Sequence, residues 1–323
     1  MTDARSSAPA RRKLSTKPHS TADRVFYGLA RAAAYGAIVL VGLILAFLLF
    51  RSSRTFMDQG LGFITGSKWS TAGSHAVLQI APMLWGSLLI AVCGIFIAVP
   101  MSIATAYFIE FMAQKRVAKV ATVVVDLLAA IPSIVIGLWG LQVFTPIAAD
   151  WAKLLNKALP FIPIFANTSG QFTGSPFIAG WIVAVMIVPI ITSVTREIFS
   201  QMDRDIINAS LALGGSQATS FFRVILPTAS GGIVGGVLLG LGRALGETVA
   251  IYFVLSLSFD INWGQVLQNK GGSVASLILS KFGEANSEEI SALMAAGLVL
   301  FIITLVVNWI AAWVVNLAQP WRR

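Results

Sequence analysis

Six apolar runs, each long enough to cross the hydrocarbon core of a bilayer, constrain the fold of this chain more than any other feature. About 20 helical residues cross a core that is roughly 30 Å thick. Because a helix satisfies its own backbone hydrogen bonds in lipid, the runs predict an all-α integral membrane protein with six transmembrane helices. The runs lie near 31–50, 80–109, 117–145, 177–194, 229–257 and 291–316. Pro100 and Pro132 fall inside the second and third runs, where they predict kinked or tilted helices.

The composition agrees with a membrane protein. Only 11% of the 323 residues are charged, against about 25% in a typical soluble domain. The net charge of +9 comes from short clusters between the apolar runs and not from one basic stripe with interleaved aromatic residues, which argues against a nucleic-acid partner. Fifteen of the 23 Lys and Arg residues lie in the two termini and the loops on their side of the membrane, against seven in the other loops. The positive-inside rule therefore places both termini in the cytoplasm.

The apolar runs and the segments between them predict the domain organisation. Residues 1–24 are polar, basic and rich in Ser, Ala and Pro, a composition typical of a disordered tail, here cytoplasmic. Residues 25–76 hold the first transmembrane helix and an external loop. Residues 77–318 form the membrane core with a long cytoplasmic loop at about 195–228, and residues 319–323 are a cytoplasmic C-terminus.

Catalytic and nucleotide-binding motifs are missing from the sequence. In "GFITGSKWS", Ser67 separates Gly66 from Lys68, so the spacing of a phosphate-binding loop fails. The two histidines, His19 and His75, are far apart and have no neighbouring Cys or carboxylate at metal-ligand spacing. We therefore expect a transport or channel subunit and not an enzyme, with any use of ATP supplied by a partner chain.

The cytoplasmic loop 195–228 is too long for a tight turn and too apolar for a disordered linker. Ile206, Ile207, Leu211 and Leu213 predict a short helix that ends at Gly214-Gly215. A second amphipathic piece then leads into the fifth span. A short helix presented between two membrane helices could lie on the membrane or insert into a cleft of a partner, and the residues alone leave both interpretations open.

The same loop resembles the cytoplasmic loop of permeases from binding-protein-dependent ABC importers, whose pattern is E-A-A, three residues, G, nine residues, I-x-L-P. The matching residues here are Asn208-Ala209-Ser210, Gly214, Val224 and Leu226-Pro227. The resemblance implies the type I ABC importer permease fold and a coupling helix at about 205–216 that docks into an ATPase dimer. It also implies that this chain binds no cofactor, because ATP and Mg²⁺ are used by the ATPase. Asn208 replaces the family's acidic residue and cannot form an ion pair.

The stretch "GLGRALGETVA" places two charges, Arg243 and Glu247, inside the fifth apolar run. On one continuous helix they lie about 40° apart and share a face with Gly236 and Gly240. Each charge costs roughly 2.5–3.5 kcal/mol at the bilayer centre, so the face is expected to point inward. One interpretation is an ion pair that locks helices packed through Gly236, Gly240 and Gly246. The other is a substrate pathway, with Arg243 facing an anion and Glu247 holding its guanidinium.

The segment "GRALGET", residues 242–248, resembles the signature of the membrane subunits of phosphate-specific ABC importers, and the six-span layout resembles their C-type permease. The resemblance implies import of inorganic phosphate by alternating access and places Arg243, Glu247 and Thr248 on its pathway. It also implies a prokaryotic plasma (inner) membrane location and three partners: a homologous second permease, an ATPase dimer and an external phosphate-binding protein. Two alternatives stay open: a permease for another oxyanion such as sulfate or molybdate, and a proton-coupled secondary anion transporter that uses Glu247 and Asp126.

Two polar features of the third run are further candidates for the pathway. Asp126 lies some ten residues into the run, where it either pairs with a basic group across the bundle, Arg243 being one candidate, or is solvated near the cytoplasmic interface. Pro132-Ser133 either forms a kink that lines a cavity or a packing kink in which Ser133 bonds to its own helix.

Overall fold

The computed structural model describes residues 21–71 and 76–318. The predictions for most of the tail, residues 1–20, and for the C-terminus, residues 319–323, lie outside the described residues. The chain divides into two compact units, residues 1–47 and residues 48–323. The described part of the first unit is helical throughout, and the second unit contains all the remaining elements.

The described part of the chain is almost entirely helical. Its helices are α1 (Thr21–Gln59), α2 (Gly62–Thr65), α3 (Ala81–Tyr107), α4 (Lys115–Ala130), α5 (Ser133–Trp139), α6 (Thr145–Ala158), α7 (Pro176–Ser200), α8 (Arg204–Ala212), α9 (Gln217–Ser220), α10 (Leu226–Gly246), α11 (Val249–Val254), α12 (Val274–Lys281) and α13 (Ser287–Ala318). Three π-helical turns, Phe108–Met112, Gly140–Phe144 and Phe221–Ile225, and one 3₁₀ turn, Pro163–Phe165, continue or link them. The strands β1 (Trp69–Ser70) and β2 (Val77–Leu78) form a small antiparallel ladder.

Six helical stretches in the described part of the chain are long and apolar enough to cross a membrane, which confirms the predicted number. They are Asp23–Gln59, Ala81–Met112, Ser133–Ala158, Pro176–Ser200, Gln217–Gly246 and Ser287–Trp313. The predicted bounds are wrong for the third run, because the chain breaks between α4 and α5. Ile131 has an extended backbone (φ −66°, ψ 128°), as a residue before proline prefers, and Pro132 has no N–H to continue the helix. Pro100, in contrast, lies inside the uninterrupted α3.

Helix α7 is the most buried of the spanning helices: 61% of the residues in its most apolar stretch are buried. It packs along α3, where close approach depends on glycine: a Cβ placed on Gly180 would lie 2.6 Å from the Cβ of Cys93. One polar contact fixes the two helices in register, since the Ser102 hydroxyl donates to the carbonyl of Val188 at 3.1 Å. On another side α7 packs against α10. Helix α7 therefore holds α3 and α10 in fixed positions relative to each other.

Candidate substrate site and coupling segment

The helix that carries Arg243 ends before it reaches Glu247. Helix α10 stops at Gly246, and Glu247 has an extended backbone (φ −70°, ψ 125°) before α11 begins at Val249. The expectation that Arg243 and Glu247 share one face of a continuous helix is therefore wrong. Glycine at the end of α10 weakens the helix. A carboxylate oxygen of Glu247 then accepts the backbone N–H of Ala250 at 3.4 Å, which satisfies one of the donors that the break leaves free.

This break separates the environments of the two charges. Glu247 is buried, with 8% of its surface exposed, and its carboxylate accepts from the backbone of α11. Arg243 is exposed. Within residues 21–71 and 76–318, the ion pairs are Arg54 with Asp58 and Glu288, Lys153 with Asp150, and Arg204 with Glu110. Arg243 therefore forms no ion pair in the described chain, and the interpretation of Arg243 and Glu247 as an intramembrane lock is corrected.

The glycine contacts between α10 and α7 show how deep Arg243 lies along the axis of the bundle. A Cβ placed on Gly240 would lie 2.9 Å from Cδ1 of Ile191 and 3.6 Å from Cβ of Ile187. These two isoleucines lie near the middle of α7. Arg243 follows Gly240 by less than one turn, which is about 5 Å along the axis. Arg243 therefore lies close to the middle of the spanning bundle.

The direction of the α10–α7 contact explains why Arg243 is exposed. The contacting glycines, Gly232, Gly236 and Gly240, recur every fourth residue and face Ile198, Val194 and Ile191. Each step of four residues is 400°, so the contact moves about 40° around α10 per step. The next contact therefore falls on Ala244, which is 2% exposed. Arg243 lies to one side of this line of contact and stays exposed. The predicted packing role of Gly246 is wrong: apart from its chain neighbours and the backbone of its own helix, no atom lies within 4 Å of a Cβ placed there.

Two helix breaks meet in this part of the bundle. Helix α5 packs against α11, and a Cβ placed on Gly137 would lie 2.8 Å from the Cα of Ala250. The break at Pro132 and the break at Glu247 therefore lie within about one turn of each other. Interrupted helices at membrane depth leave backbone groups that protein or a water-lined cavity must satisfy, as in the substrate sites of many transporters.

The hydroxyl residues predicted for the pathway lie at these breaks. Thr248 donates through Oγ1 to the carbonyl of Gly246 at 3.2 Å, which satisfies one acceptor at the end of α10. Ser133 is the first residue of α5 and is half-buried. Arg243, Ser133 and Thr248 thus place one cation and two hydroxyls near the paired breaks.

Asp126 lies away from this group. Ser193 donates to a carboxylate oxygen of Asp126 at 3.3 Å. Ser193 precedes Val194, against which Gly236 packs, and Arg243 follows Gly236 by seven residues, about 10 Å of helix. Asp126 therefore lies about two turns nearer the α8 end of the bundle than Arg243. Asp126 is exposed and forms no ion pair among the described residues, so the alternative of pairing with a basic group across the bundle, Arg243 included, is wrong.

The loop 195–228, called the coupling segment below after the role that the sequence predicts for it, contains the predicted short helix, α8. Asp203 caps α8 by accepting the N–H of Asp205 at 2.9 Å. The helix ends where Gly214 adopts φ +85°, a backbone conformation that glycine reaches without steric cost. The N–H of Gly215 donates to the carbonyl of Ser210 at 3.1 Å and closes the end of the helix. Both ends of α8 are therefore specified locally.

The surface of α8 presents apolar side chains to solvent. Leu213 is 90% exposed and Ile206 is 49% exposed, and the motif residues Asn208 and Ala209 are exposed beside them. A shallow groove is lined by Ile206, Ala209, Ser210, Leu213, Gly215, Thr219 and Val224. Exposed apolar residues grouped on α8 and on Leu213 directly after it indicate a docking surface. Leu226 and Pro227 open α10 directly after the π turn Phe221–Ile225.

Sequence reasoning missed a contact at the start of α8. Arg204 Nη2 lies 2.7 Å from Glu110 Oε1, although the two residues are 94 positions apart. A basic residue directly after the N-cap Asp203 was the available signal at one end. Nothing in the local sequence around Glu110 identifies it as the partner.

Six candidate spanning helices and paired helix breaks inside the bundle are typical of a membrane transport protein. The chain belongs to the family of binding-protein-dependent transport system inner membrane components, whose family model matches residues 98–320. Family members work with a substrate-binding protein and with ATPase subunits. The family resemblance of the coupling loop is thereby confirmed.

Curated relatives narrow the comparison within this family. The chain is 33% identical to the phosphate transport system permease protein PstC of Pasteurella multocida over 295 residues, which cover 90% of each chain. It is 33% identical to PstC 2 of Mycobacterium bovis over 93% of this chain and 94% of the relative. It is 36% identical to PstC of Mycobacterium leprae over 82% of this chain and 84% of the relative.

Solved structures support the fold alone. An inward-facing structure of the MetNI methionine ABC transporter is similar with a TM-score of 0.54 at 15% identity, over 74% of this chain and 95% of that chain. A bacterial ABC transporter involved in import of the polysaccharide alginate is similar with a TM-score of 0.52 at 15% identity, over 91% of this chain and 98% of that chain. The predicted permease fold of ABC importers is thereby confirmed.

Proposed function

We propose that this chain is the permease subunit of an ATP-driven importer that carries inorganic phosphate into the cell by alternating access. The observation that carries the proposal is the match to PstC phosphate permeases over 90% of both chains. The open cation Arg243 near mid-membrane supports an anionic substrate. A guanidinium donates two parallel hydrogen bonds to one oxyanion, which suits phosphate.

The proposed partners are a homologous second permease, an ATPase dimer and an external phosphate-binding protein. The ATPase dimer binds ATP and Mg²⁺ and receives α8 at the cytoplasmic face. The distribution of Lys and Arg supports cytoplasmic termini, and the bacterial phosphate permeases to which the chain is similar support a prokaryotic plasma membrane. Residues 77–318 form the permease core, residues 25–76 add the first span and an external loop, and residues 1–24 are a cytoplasmic tail. The exposed side of α10 that carries Arg243 faces the second permease, so the pathway runs between the two subunits.

Within this pathway each residue has its own task. Arg243 provides the positive charge that attracts phosphate. Glu247 does not neutralise this charge inside the chain; it holds the start of α11 in place and so maintains the break. Ser133 and Thr248 supply hydroxyls near the breaks. Asp126 lies on the α8 side of Arg243, where a carboxylate repels phosphate and prevents it from remaining bound.

ATP binding drives the proposed cycle from the cytoplasmic face. ATP closes the ATPase dimer, α8 moves with it, and the cavity between the permeases opens outward to receive phosphate from the binding protein. Hydrolysis then resets the cavity inward. In this cycle ATP at one site shifts the equilibrium between the inward-open and outward-open states of a distant cavity, which is an allosteric coupling.

Uptake of labelled phosphate by the complex reconstituted in liposomes tests the proposal. We expect uptake that requires both ATP and the binding protein, falls when unlabelled phosphate competes, and persists with an uncoupler. Competition by sulfate or molybdate but not by phosphate would assign another oxyanion. Uptake by this chain alone that an uncoupler abolishes would identify a secondary transporter.

Crosslinking tests the docking of α8 separately. A cysteine at Ala209 or Gly214, in a chain whose Cys93 is replaced by Ala, is expected to crosslink to the ATPase in the assembled complex. The control is a cysteine at Gly283, which lies in the loop between α12 and α13, on the proposed external side. An assembled complex that yields no crosslink from either α8 position would contradict docking through α8.

A further inference from the structure

The start of α8 is joined to the end of the second span by a partly buried ion pair. Arg204 Nη2 lies 2.7 Å from Glu110 Oε1 and also donates to the carbonyl of Glu110 at 3.4 Å. The guanidinium carbon lies 5.2 Å from the centroid of the Phe111 ring, within the range of a cation–π contact. Three contacts from two adjacent residues therefore hold one guanidinium.

Glu110 is far less exposed than the acidic partners of the other described ion pairs. Its side chain is 20% exposed, against 65% for Asp58, 48% for Glu288 and 74% for Asp150. Exposed pairs contribute little because water screens them, whereas a charge held away from water interacts more strongly with its partner. Arg204 itself is 60% exposed, like the basic partners of the other pairs, so the pair differs from them in the lower exposure of its carboxylate.

An aromatic cluster lies next to this ion pair and joins three helix ends. The Phe111 ring centroid lies 5.6 Å from that of Phe199 and 5.2 Å from that of Tyr107. Tyr107 in turn contacts Phe221, with centroids 4.6 Å apart. These rings come from the ends of α3 and α7 and from the turn that leads into α10. A displacement of Glu110 therefore acts on all three helices at once.

Two of the three π-helical turns in the described chain meet at this cluster. Glu110 and Phe111 lie in the turn Phe108–Met112, and Phe221 opens the turn Phe221–Ile225. Such turns insert an extra residue into an α-helix and occur frequently at functional sites. Here two such turns lie where α8 contacts the rest of the chain.

We propose that the Arg204–Glu110 ion pair is a transmission link that carries the displacement of α8 directly to α3. The inference rests on the proposed function, in which the ATPase moves α8. The chain itself connects α8 to α7 through 201–203 and to α9 through 213–216. Ile207 of α8 packs against the apolar cluster that contains Ala106 of α3 and Phe199 of α7. The ion pair adds a polar connection from α8 to the second span, which packs along α7. Arg204 is thus a positioning residue for energy coupling and contacts no substrate.

The amount of phosphate moved per ATP hydrolysed tests this link in the reconstituted complex. Arg204→Gln and Glu110→Gln are each expected to lower this ratio about fivefold or more while ATP hydrolysis continues. The charge-swapped double variant Glu110→Arg/Arg204→Glu is expected to recover at least half of the ratio. Glu288→Gln, which breaks the exposed pair with Arg54, is the matched control and is expected to leave the ratio unchanged.

An unchanged ratio in both single variants, or no recovery in the swap when all complexes assemble, overturns the proposal. A distance measurement covers the case in which the variants fail to assemble. Spin labels at Met112→Cys and Asp205→Cys, with Cys93 replaced by Ala, are expected to keep one separation in nucleotide-free and ATP-trapped complexes. A separation that changes by several Å between the two states overturns the link, even if the complex transports no phosphate and the proposed function fails.

Discussion

The coupling segment and the two helix breaks differ in how their charged side chains are paired. At α8, the charged groups next to the bundle are tied within the chain: Arg204 to Glu110 and Asp203 to a backbone N–H. At the breaks, Arg243 has no ion pair in the described chain, and Glu247 is used on the backbone of α11. The guanidinium at the start of α8 has a carboxylate partner within the chain, whereas the guanidinium near the breaks has none among the described residues.

This difference follows from what each region contacts. A helix that must pass on a displacement needs contacts that persist through the cycle, and a partly buried ion pair beside a packed aromatic cluster meets that need. A site that must bind and release a small anion needs a charge that its own chain does not neutralise, because a ready intrachain partner would compete with the ligand. The four variants below test whether the two regions differ in this way.

Arg243→Gln is expected to have the largest effect. Phosphate uptake by the reconstituted complex should fall about 10- to 100-fold, because hydrogen bonds to a charged group are lost at the substrate. Assembly, measured by co-purification of the ATPase, should be unchanged since Arg243 holds no ion pair in the described chain. Arg243→Lys keeps the charge and should lose less. Normal uptake by Arg243→Gln would place the pathway elsewhere.

Gly236→Leu should destabilise the chain by about 1–3 kcal/mol through overpacking against α7. A Cβ at this position would lie 3.2 Å from the Cβ of Val194, whereas nothing lies within 4 Å of a Cβ on the adjacent Gly235. Gly235→Leu is therefore a matched control with the same change in helix propensity. Thermal unfolding of the isolated subunit in detergent measures both. Equal melting temperatures for the two variants would show that α10 does not pack on α7 through this face.

Gly214→Ala is expected to cost about 1 kcal/mol, because alanine is strained at φ +85° even where space is open. Gly283→Ala is the control, since its surroundings are equally open and its φ is not in the left-handed region. The same thermal measurement compares them. A variant as stable as the control would mean that α8 ends differently in solution.

Glu247→Gln should have the smallest effect, about twofold or less on uptake, because the amide oxygen still accepts the N–H of Ala250. Glu247→Ala removes that acceptor and should destabilise the chain by about 1 kcal/mol. A large loss of transport in Glu247→Gln with unchanged stability would restore a direct role for the negative charge beside Arg243.

The features that could be predicted from the sequence are those that local chemistry specifies. Apolar length predicts the six spans, and Gly214-Gly215 predicts the end of α8. Proline predicts a distortion at Pro132, which the sequence indicates as a kink within one helix and the structure shows as a full break between α4 and α5. The break after Gly246 has no proline to mark it, and "GRALGET" reads as helix by spacing alone.

Two other features depend on tertiary geometry. The exposure of Arg243 follows from the 40° drift of the α10–α7 contact, which no pattern within α10 reveals. The Arg204–Glu110 pair joins residues 94 positions apart, and only the packing of α3 along α7 brings them together.

Chemical modification of a single cysteine at position 243 tests the central claim most directly. In the variant Arg243→Cys with Cys93 replaced by Ala, uptake should be low and a thiol reagent that adds a positively charged aminoethyl group should restore much of it. A reagent that adds a negative sulfonate should not restore uptake. An unreactive cysteine, or equal effects of both reagents, would contradict the account in which Arg243 is an open cation on the phosphate pathway.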